Sequence, residues 1–200
     1  MKVNFKAMSP TTKEESIIAE KLNTLISVFG ARAVVHGDGD DYSSMDIDIC
    51  ADINGKPTRI CRLDVETKPQ KYSFDECYPY AHPDWIPKHT SDKRGWSFLY
   101  RKVAKMYKDP RGRELVDKDD LYILCDRTCN KLFVVKFGDI LANCDLAIFN
   151  ADDPKFWFYR YRAVNKVIPD FIHTGKDGGY SFIVNYIHNK IDKIKGILDA

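Results

Sequence analysis

Two alternating segments joined by a tight turn constrain the fold of this chain more than any other feature. Residues 45–49 alternate apolar and acidic side chains, a pattern that predicts a strand with one buried face and one face of carboxylates. Asn54-Gly55 is a strong hairpin signal. Residues 60–68 alternate as well, with Asp64 and Glu66 on their polar face. The hairpin therefore predicts two acidic rows on the same sheet, and we expect them to line a solvated cleft.

The rest of the chain supplies helices at both ends and further strands between them. A capping box at residues 9–15 followed by apolar residues at helical spacing predicts a helix that ends at Gly30. Residues 31–36 read as a strand, and residues 121–125 and 131–137 as a second hairpin. Residues 96–107 fit a strand or a helix equally well. Apolar residues spaced by three and four predict a C-terminal amphipathic helix: Tyr180, Ile183, Ile187, Ile191, Ile194 and Leu198.

These blocks predict an α/β (α+β) fold with a mixed central β-sheet flanked by helices. The chain has 200 residues, of which 44% are hydrophobic, and this suffices for one core but falls short of two full-sized domains. We therefore expect a single domain over residues 1–200, with a core at about 12–137 and a C-terminal helical part at about 150–200.

Composition also bounds the setting in which the chain works. No segment approaches the roughly 20 apolar residues that a membrane span needs, and the N-terminus lacks the apolar stretch of a signal peptide. Six cysteines are too sparse for a disulfide scaffold. Cys125 and Cys129 lack a second ligand pair that would complete a zinc site. We expect a cytoplasmic protein in a reducing compartment, without a membrane partner.

Charge is distributed unevenly although the net charge is only +2. Residues 38–55 contain six aspartates and no lysine or arginine, whereas residues 88–113 contain nine lysines or arginines and two aspartates. One segment is suited to hold cations and the other to hold phosphates.

Asp46, Glu66 and Lys68 form a set that suits phosphodiester hydrolysis. The reaction needs charge neutralisation on the scissile phosphate and a hydroxide near neutral pH, and divalent metal ions held by carboxylates can serve both needs. Mg²⁺ prefers oxygen ligands and keeps several waters, so two or three carboxylates are enough. A lysine close by can orient the attacking water or balance charge in the transition state.

Part of the sequence resembles the motif of the PD-(D/E)XK, or restriction-endonuclease-like, nucleases. The matching residues are Ser44 to Ile47 and, after the hairpin, Asp64-Val65-Glu66-Thr67-Lys68. Met45 stands where that family has a proline. The resemblance covers roughly residues 12–70 and implies a mixed sheet flanked by helices, with Mg²⁺ or Mn²⁺ as the cofactor. It further implies that Asp46 and Glu66 bind the metal and that Lys68 assists the water. Asp64 shares the acidic face with them and is an additional candidate ligand.

Further residues extend this assignment. Members of the family often contribute a glutamate from the first helix, and Glu15 flanks the apolar face of that helix, with Glu14 in reserve. Gln70 resembles a glutamine that lies near the cleft in some branches. The resemblance implies DNA more strongly than RNA as the substrate, and a homodimer stays open. The candidate phosphate contacts are Lys93, Arg94, Arg101 and Lys102.

Two alternatives remain open. The sequence also resembles the pattern of nucleotidyltransferases, which combine a glycine turn with three carboxylates. The turn would be at Gly37 and the carboxylates at Asp46, Asp48 and Asp64, although Asp38 would repel a triphosphate at the turn. The second alternative is a catalytically silent nucleic-acid-binding module on the same scaffold, because fold does not determine function. His36 fits a structural role better than a metal ligand.

Overall fold

Two β-sheets pack against each other in the part of the chain that the structure, a computed structural model, describes. That part comprises residues 13–36, 45–67, 96–103, 117–148, 157–161 and 168–198. The elements are α1 (Lys13–Ile26), a 3₁₀ turn (Ser27–Phe29), β1 (Ala31–Val35), β2 (Ile47–Ile53), β3 (Lys56–Thr67), β4 (Trp96–Leu99), α2 (Tyr100–Val103), β5 (Leu121–Cys125), β6 (Leu132–Lys136), α3 (Phe137–Asn143), β7 (Asp145–Ile148), β8 (Trp157–Tyr161) and α4 (Tyr180–Leu198). The first sheet has five strands in the order β1-β2-β3-β5-β6, and the second has three in the order β4-β8-β7.

The predicted hairpin is confirmed as β2 and β3, although β2 begins at Ile47, two residues later than the alternation predicted, and leaves Asp46 just before the strand. The strands pair antiparallel from Ile47 opposite Leu63 to the turn, with one irregularity in the register after Ile49. Asn54 and Gly55 form the turn with φ of 54° and 75°. Both values lie in the left-handed region that a tight two-residue hairpin requires. On its other edge β3 pairs parallel with β5, so the sheet is mixed.

Strand alternation divides the interior into two cores, one on each face of the five-stranded sheet. Leu63 and Val65 of β3 pack with α1 and α4 on one face, as do the apolar residues of β2. On the other face Tyr122 and Leu124 of β5 pack with Trp96 and other residues of the second sheet. The prediction of an α/β architecture with a mixed central sheet flanked by helices is therefore confirmed.

The outer helices and the second hairpin also agree with the sequence pattern. Ile18, Leu22 and Ile26 of α1 are buried, and α4 buries the predicted apolar stripe from Tyr180 to Ile191. β5 and β6 form the second hairpin. The segment that begins at Trp96 fitted a strand or a helix in the sequence, and it contains one of each: strand β4 is followed directly by helix α2. No helix within the described residues has the length and apolarity to cross a membrane.

A side chain satisfies backbone groups at the β1 edge of the five-stranded sheet. Asn23 of α1 donates from Nδ2 to the Ala33 carbonyl at 3.1 Å, and its Oδ1 accepts from the Ala33 N–H at 2.7 Å. Its amide thus replaces a neighbouring strand at the middle of β1. Satisfied edge groups are poor templates for pairing with another chain, so this contact protects the sheet edge.

Candidate functional site

The candidate site lies at the fork where β2 and β3 separate. Their pairing stops at Ile47 opposite Leu63, so the next backbone groups of β3 that face β2 belong to Val65. The Asp46 carboxylate accepts the Val65 N–H at 2.6 Å, and the Lys102 ammonium donates to the Val65 carbonyl at 2.6 Å. Two side chains therefore take the place of the missing strand partner. The Asp46 carbonyl itself accepts from the N–H of His36 at the end of β1.

Three oxygen atoms converge on the Lys102 ammonium in this fork. Besides the Val65 carbonyl, the ammonium donates to Oδ1 of Asp64 in a short contact and lies 3.5 Å from Oδ2 of Asp46. Lys102 reaches them from α2, and its side chain is 14% exposed. Three N–H donors thus meet three oxygen acceptors around one positive charge.

The expectation of a fully solvated acidic cleft is wrong for Asp64, whose side chain has no exposed surface. Lys102 of α2 covers Asp64, and the aromatic core beneath the second sheet lies on the same face of the five-stranded sheet, so the polar side of the hairpin is interior at this end. Asp46, immediately before β2, keeps a quarter of its side chain exposed. The fork is therefore accessible from the side of Asp46, while Asp64 forms its floor.

Burial and the crowding of carboxylates change the acidity of this site. Burial raises the pKa of Asp46 to about 7, with Lys102 opposing the shift and the charges of Asp64 and Glu15 adding to it. For Lys102, burial alone would lower the pKa, but the surrounding carboxylates, Asp64 first, raise it above the ordinary lysine value. Lys102 therefore keeps its positive charge, whereas Asp46 readily takes up a proton because its pKa lies near neutrality.

Glu66 lies two residues further along β3, on the same face as Asp64. The Tyr122 hydroxyl donates to Oε2 of Glu66 in a short contact and accepts the N–H of Leu99 at 3.2 Å. Burial and the nearby charges of Glu66 and Asp64 raise the pKa of Tyr122 well above its ordinary value, so the phenol stays a donor. Tyr122 thereby fixes the orientation of the Glu66 carboxylate.

The two glutamates at the start of α1 act on different neighbours. The charge of Glu15 contributes to the raised pKa of Asp46, which places Glu15 within electrostatic range of the fork. Glu14 instead acts on the thiols of Cys125 and Cys129, and its carbonyl lies 3.7 Å from Sγ of Cys129. Of the two, Glu15 is the one associated with the carboxylate cluster.

Asp48 belongs to a separate surface group. Its carboxylate lies 3.1 Å from Nε2 of His36 and 3.9 Å from Arg59. Opposite Asp48 in the ladder, Arg62 turns to the buried Asp120, with contacts of 2.7 and 2.8 Å from its guanidinium. Asp48 therefore balances basic neighbours inside the ladder, two residues away from the fork.

Several predicted site residues lie outside the described part of the chain. These are Lys68, Gln70, Lys93 and Arg94, together with the side chain of Arg101. The structure brings together Asp46, Asp64 and Glu66, with Glu15 within electrostatic range. Lys102, predicted as a phosphate contact, lies with its ammonium among these carboxylates.

Sequence reasoning missed two features of the site. The central part played by Lys102 has no local signal, because its partners lie 37 to 56 positions away in the chain. Tyr122 did carry a signal, since it is the one residue with a hydroxyl group in the apolar strand β5. A tyrosine buried beside carboxylates needs a hydrogen-bond partner, and this requirement could have identified it.

The oxygen atoms of the fork are of the type that hard divalent cations prefer as ligands. Two carboxylate oxygens and one backbone carbonyl already surround a single positive charge, and Mg²⁺ and Mn²⁺ prefer such ligands. Within the described ranges, no group of three or more His, Cys, Asp or Glu side chains is arranged to hold a metal ion. The donor set is thus two carboxylates and a carbonyl, which Mg²⁺ accepts because it keeps several waters.

Comparisons with known proteins add no assignment. No family model matches the sequence, and no match was found among curated proteins or among solved structures.

Proposed function

We propose that the chain is a metal-dependent nuclease that hydrolyses phosphodiester bonds of nucleic acid, with its reactive centre at the fork of β2 and β3. We further propose that the five-stranded mixed sheet corresponds to the restriction-endonuclease-like core. One observation carries the proposal: Asp46, Asp64 and the Val65 carbonyl converge on one position of positive charge. The sequence motif, argued independently of this geometry, pointed to the same strands.

The residues of the fork divide into ligands and supports. Asp46 and Asp64 would hold Mg²⁺ or Mn²⁺ with the Val65 carbonyl, and Glu66, which the resemblance also gives as a ligand, would reach the ion through one of its waters from two residues further along β3. The ion would supply charge neutralisation at the scissile phosphate and a hydroxide near neutral pH. Tyr122 keeps Glu66 in place, and Glu15 adds negative charge nearby. Lys68 retains its proposed part as the lysine that assists the water.

Substrate contacts extend this proposal to the basic segment. Lys93, Arg94 and Arg101 would position the phosphate backbone, and Gln70 would lie near the cleft. DNA is the preferred substrate through the resemblance alone, with RNA as the alternative. Contacts of this kind set register and affinity without reading sequence.

The nucleotidyltransferase alternative requires Asp48 to act together with Asp46 and Asp64. Asp48 is instead engaged by His36 at 3.1 Å and Arg59 at 3.9 Å. No observation favours this alternative over hydrolysis, and we place it second.

Incubation with labelled DNA and RNA, with Mg²⁺ or Mn²⁺ and with or without nucleoside triphosphates, tests the proposal. Cleavage that is abolished in Glu66→Gln and Asp64→Asn supports it. Asp52→Asn removes an exposed carboxylate from the same hairpin and is the matched control, which should cleave like the parent. Extension of the strand would favour a nucleotidyltransferase, and retention without any reaction would favour a binding module.

A further inference from the structure

The Lys102 ammonium occupies the position in which the fork would hold a metal ion. Its three acceptors are the Val65 carbonyl, Asp64 and Asp46, and these are the oxygens that the proposed function assigns to the cation. A protonated amine and a divalent cation cannot both occupy the point where these three oxygens converge, because like charges at such short range repel strongly. One of them must leave before the other can bind.

The position of Lys102 on a short helix allows its ammonium to leave the fork. It stands on α2, a helix of only four residues, next to the buried Val103. The lysine side chain is a flexible four-carbon stem, so the ammonium can swing away while Val103 remains packed. The exposed quarter of Asp46 gives an incoming ion an approach that Asp64, with no exposed surface, does not.

We propose that Lys102 is an exchangeable counter-ion that neutralises the fork in the metal-free protein and is displaced when Mg²⁺ or Mn²⁺ binds. The inference rests on the proposed function and adds a regulatory step to the same site. The exchange replaces one positive charge by two, so the excess of carboxylates is neutralised more fully after it. The released ammonium stays tethered at the cleft, where a phosphate would be an alternative partner.

Calorimetric titration of Mn²⁺ into the parent, Lys102→Met and Lys193→Met tests the exchange. We expect Lys102→Met to bind Mn²⁺ at least tenfold more tightly than the parent, since no ammonium has to be displaced. Lys193→Met removes an exposed lysine of α4 and should bind like the parent. If Lys102→Met does not fold without metal, millimolar Mn²⁺ should restore its circular dichroism spectrum, because a ligand that binds only the folded state stabilises it.

A second measurement uses the unmodified protein. Acylation of Lys102 by an amine-reactive reagent, read by peptide mass spectrometry, should increase severalfold when Mn²⁺ is added. The exchange is refuted, and the metal site stands, if the parent binds Mn²⁺ but two results fail. These are tighter Mn²⁺ binding by Lys102→Met, or its refolding by Mn²⁺, and increased labelling of Lys102 in the parent. If Mn²⁺ binds neither protein, the proposed function itself fails.

Discussion

Replacement of Asp46 by asparagine should change how the stability of the protein depends on pH. The pKa of Asp46 rises from an ordinary 3.8 to about 7 in the folded state, chiefly through burial. At 1.36 kcal/mol for each pKa unit, this corresponds to about 4 kcal/mol at most. A carboxyl whose folded pKa is raised favours folding below the unfolded pKa, and its contribution is lost as the pH rises through the folded pKa.

The parent should therefore lose up to about 4 kcal/mol of unfolding free energy between about pH 4 and pH 8 through this one group. Asp46→Asn has no charge to acquire and should not show this loss. Its side-chain oxygen can still accept the Val65 N–H, so its stability at pH 4 should lie within about 1 kcal/mol of the parent. At pH 8 the variant should be the more stable protein.

Urea denaturation at intervals between pH 4 and pH 8, with a chelator present, measures the difference. Asp52→Asn, an exposed carboxylate on β2, serves as the control and should track the parent throughout. A stability difference between Asp46→Asn and the parent that stays constant across this range would show that the Asp46 carboxyl titrates normally. In that case the reasoning from burial is wrong.

Two further substitutions test a support of the site at Tyr122 and the buried ion pair of Asp120 and Arg62. Tyr122→Phe removes the donor to Glu66 and the acceptor of the Leu99 N–H, and should cost about 1 to 3 kcal/mol in urea denaturation; an unchanged midpoint would mean that the hydroxyl contacts contribute nothing. Asp120→Asn presents an amide donor to the Arg62 guanidinium in a buried pair and should cost about 3 to 5 kcal/mol. Its melting temperature should fall by roughly 10 °C, while the exposed Asp192→Asn should leave it within about 2 °C.

The sequence pattern predicted the secondary structure because the signals were local. Alternation identified β2 and β3, the Asn54-Gly55 pair identified their turn, and spacing by three and four identified α1 and α4. These periodicities reflect which side of each element is buried, and a single sequence reports that directly. The pattern within a strand does not show which distant segment of the chain packs on the second face of the sheet. The solvated cleft was therefore expected where the structure has an interior floor at Asp64.

The parts of the site differ in the same way. Asp64 and Glu66 share one strand, so their common face follows from alternation alone. Lys102 meets Asp64 only because β4 and α2 fold back across the sheet, 38 positions later in the sequence. Its stretch of basic and aromatic residues fits a phosphate-binding surface equally well, and composition does not distinguish an inward ammonium from an outward one.

The place where β2 and β3 part decides which aspartate belongs to the site. Asp46 and Asp48 alternate alike in the sequence, yet Asp48 lies inside the ladder opposite Arg62, while Asp46 lies beyond the last pair. Only a residue beyond that pair meets the unpaired N–H of Val65, and Asp46 accepts it at 2.6 Å. A shift of the register by two residues would exchange these surroundings, because alternation preserves the face but not the partner. The candidate site thus depends on the register of one hairpin as much as on its residue types.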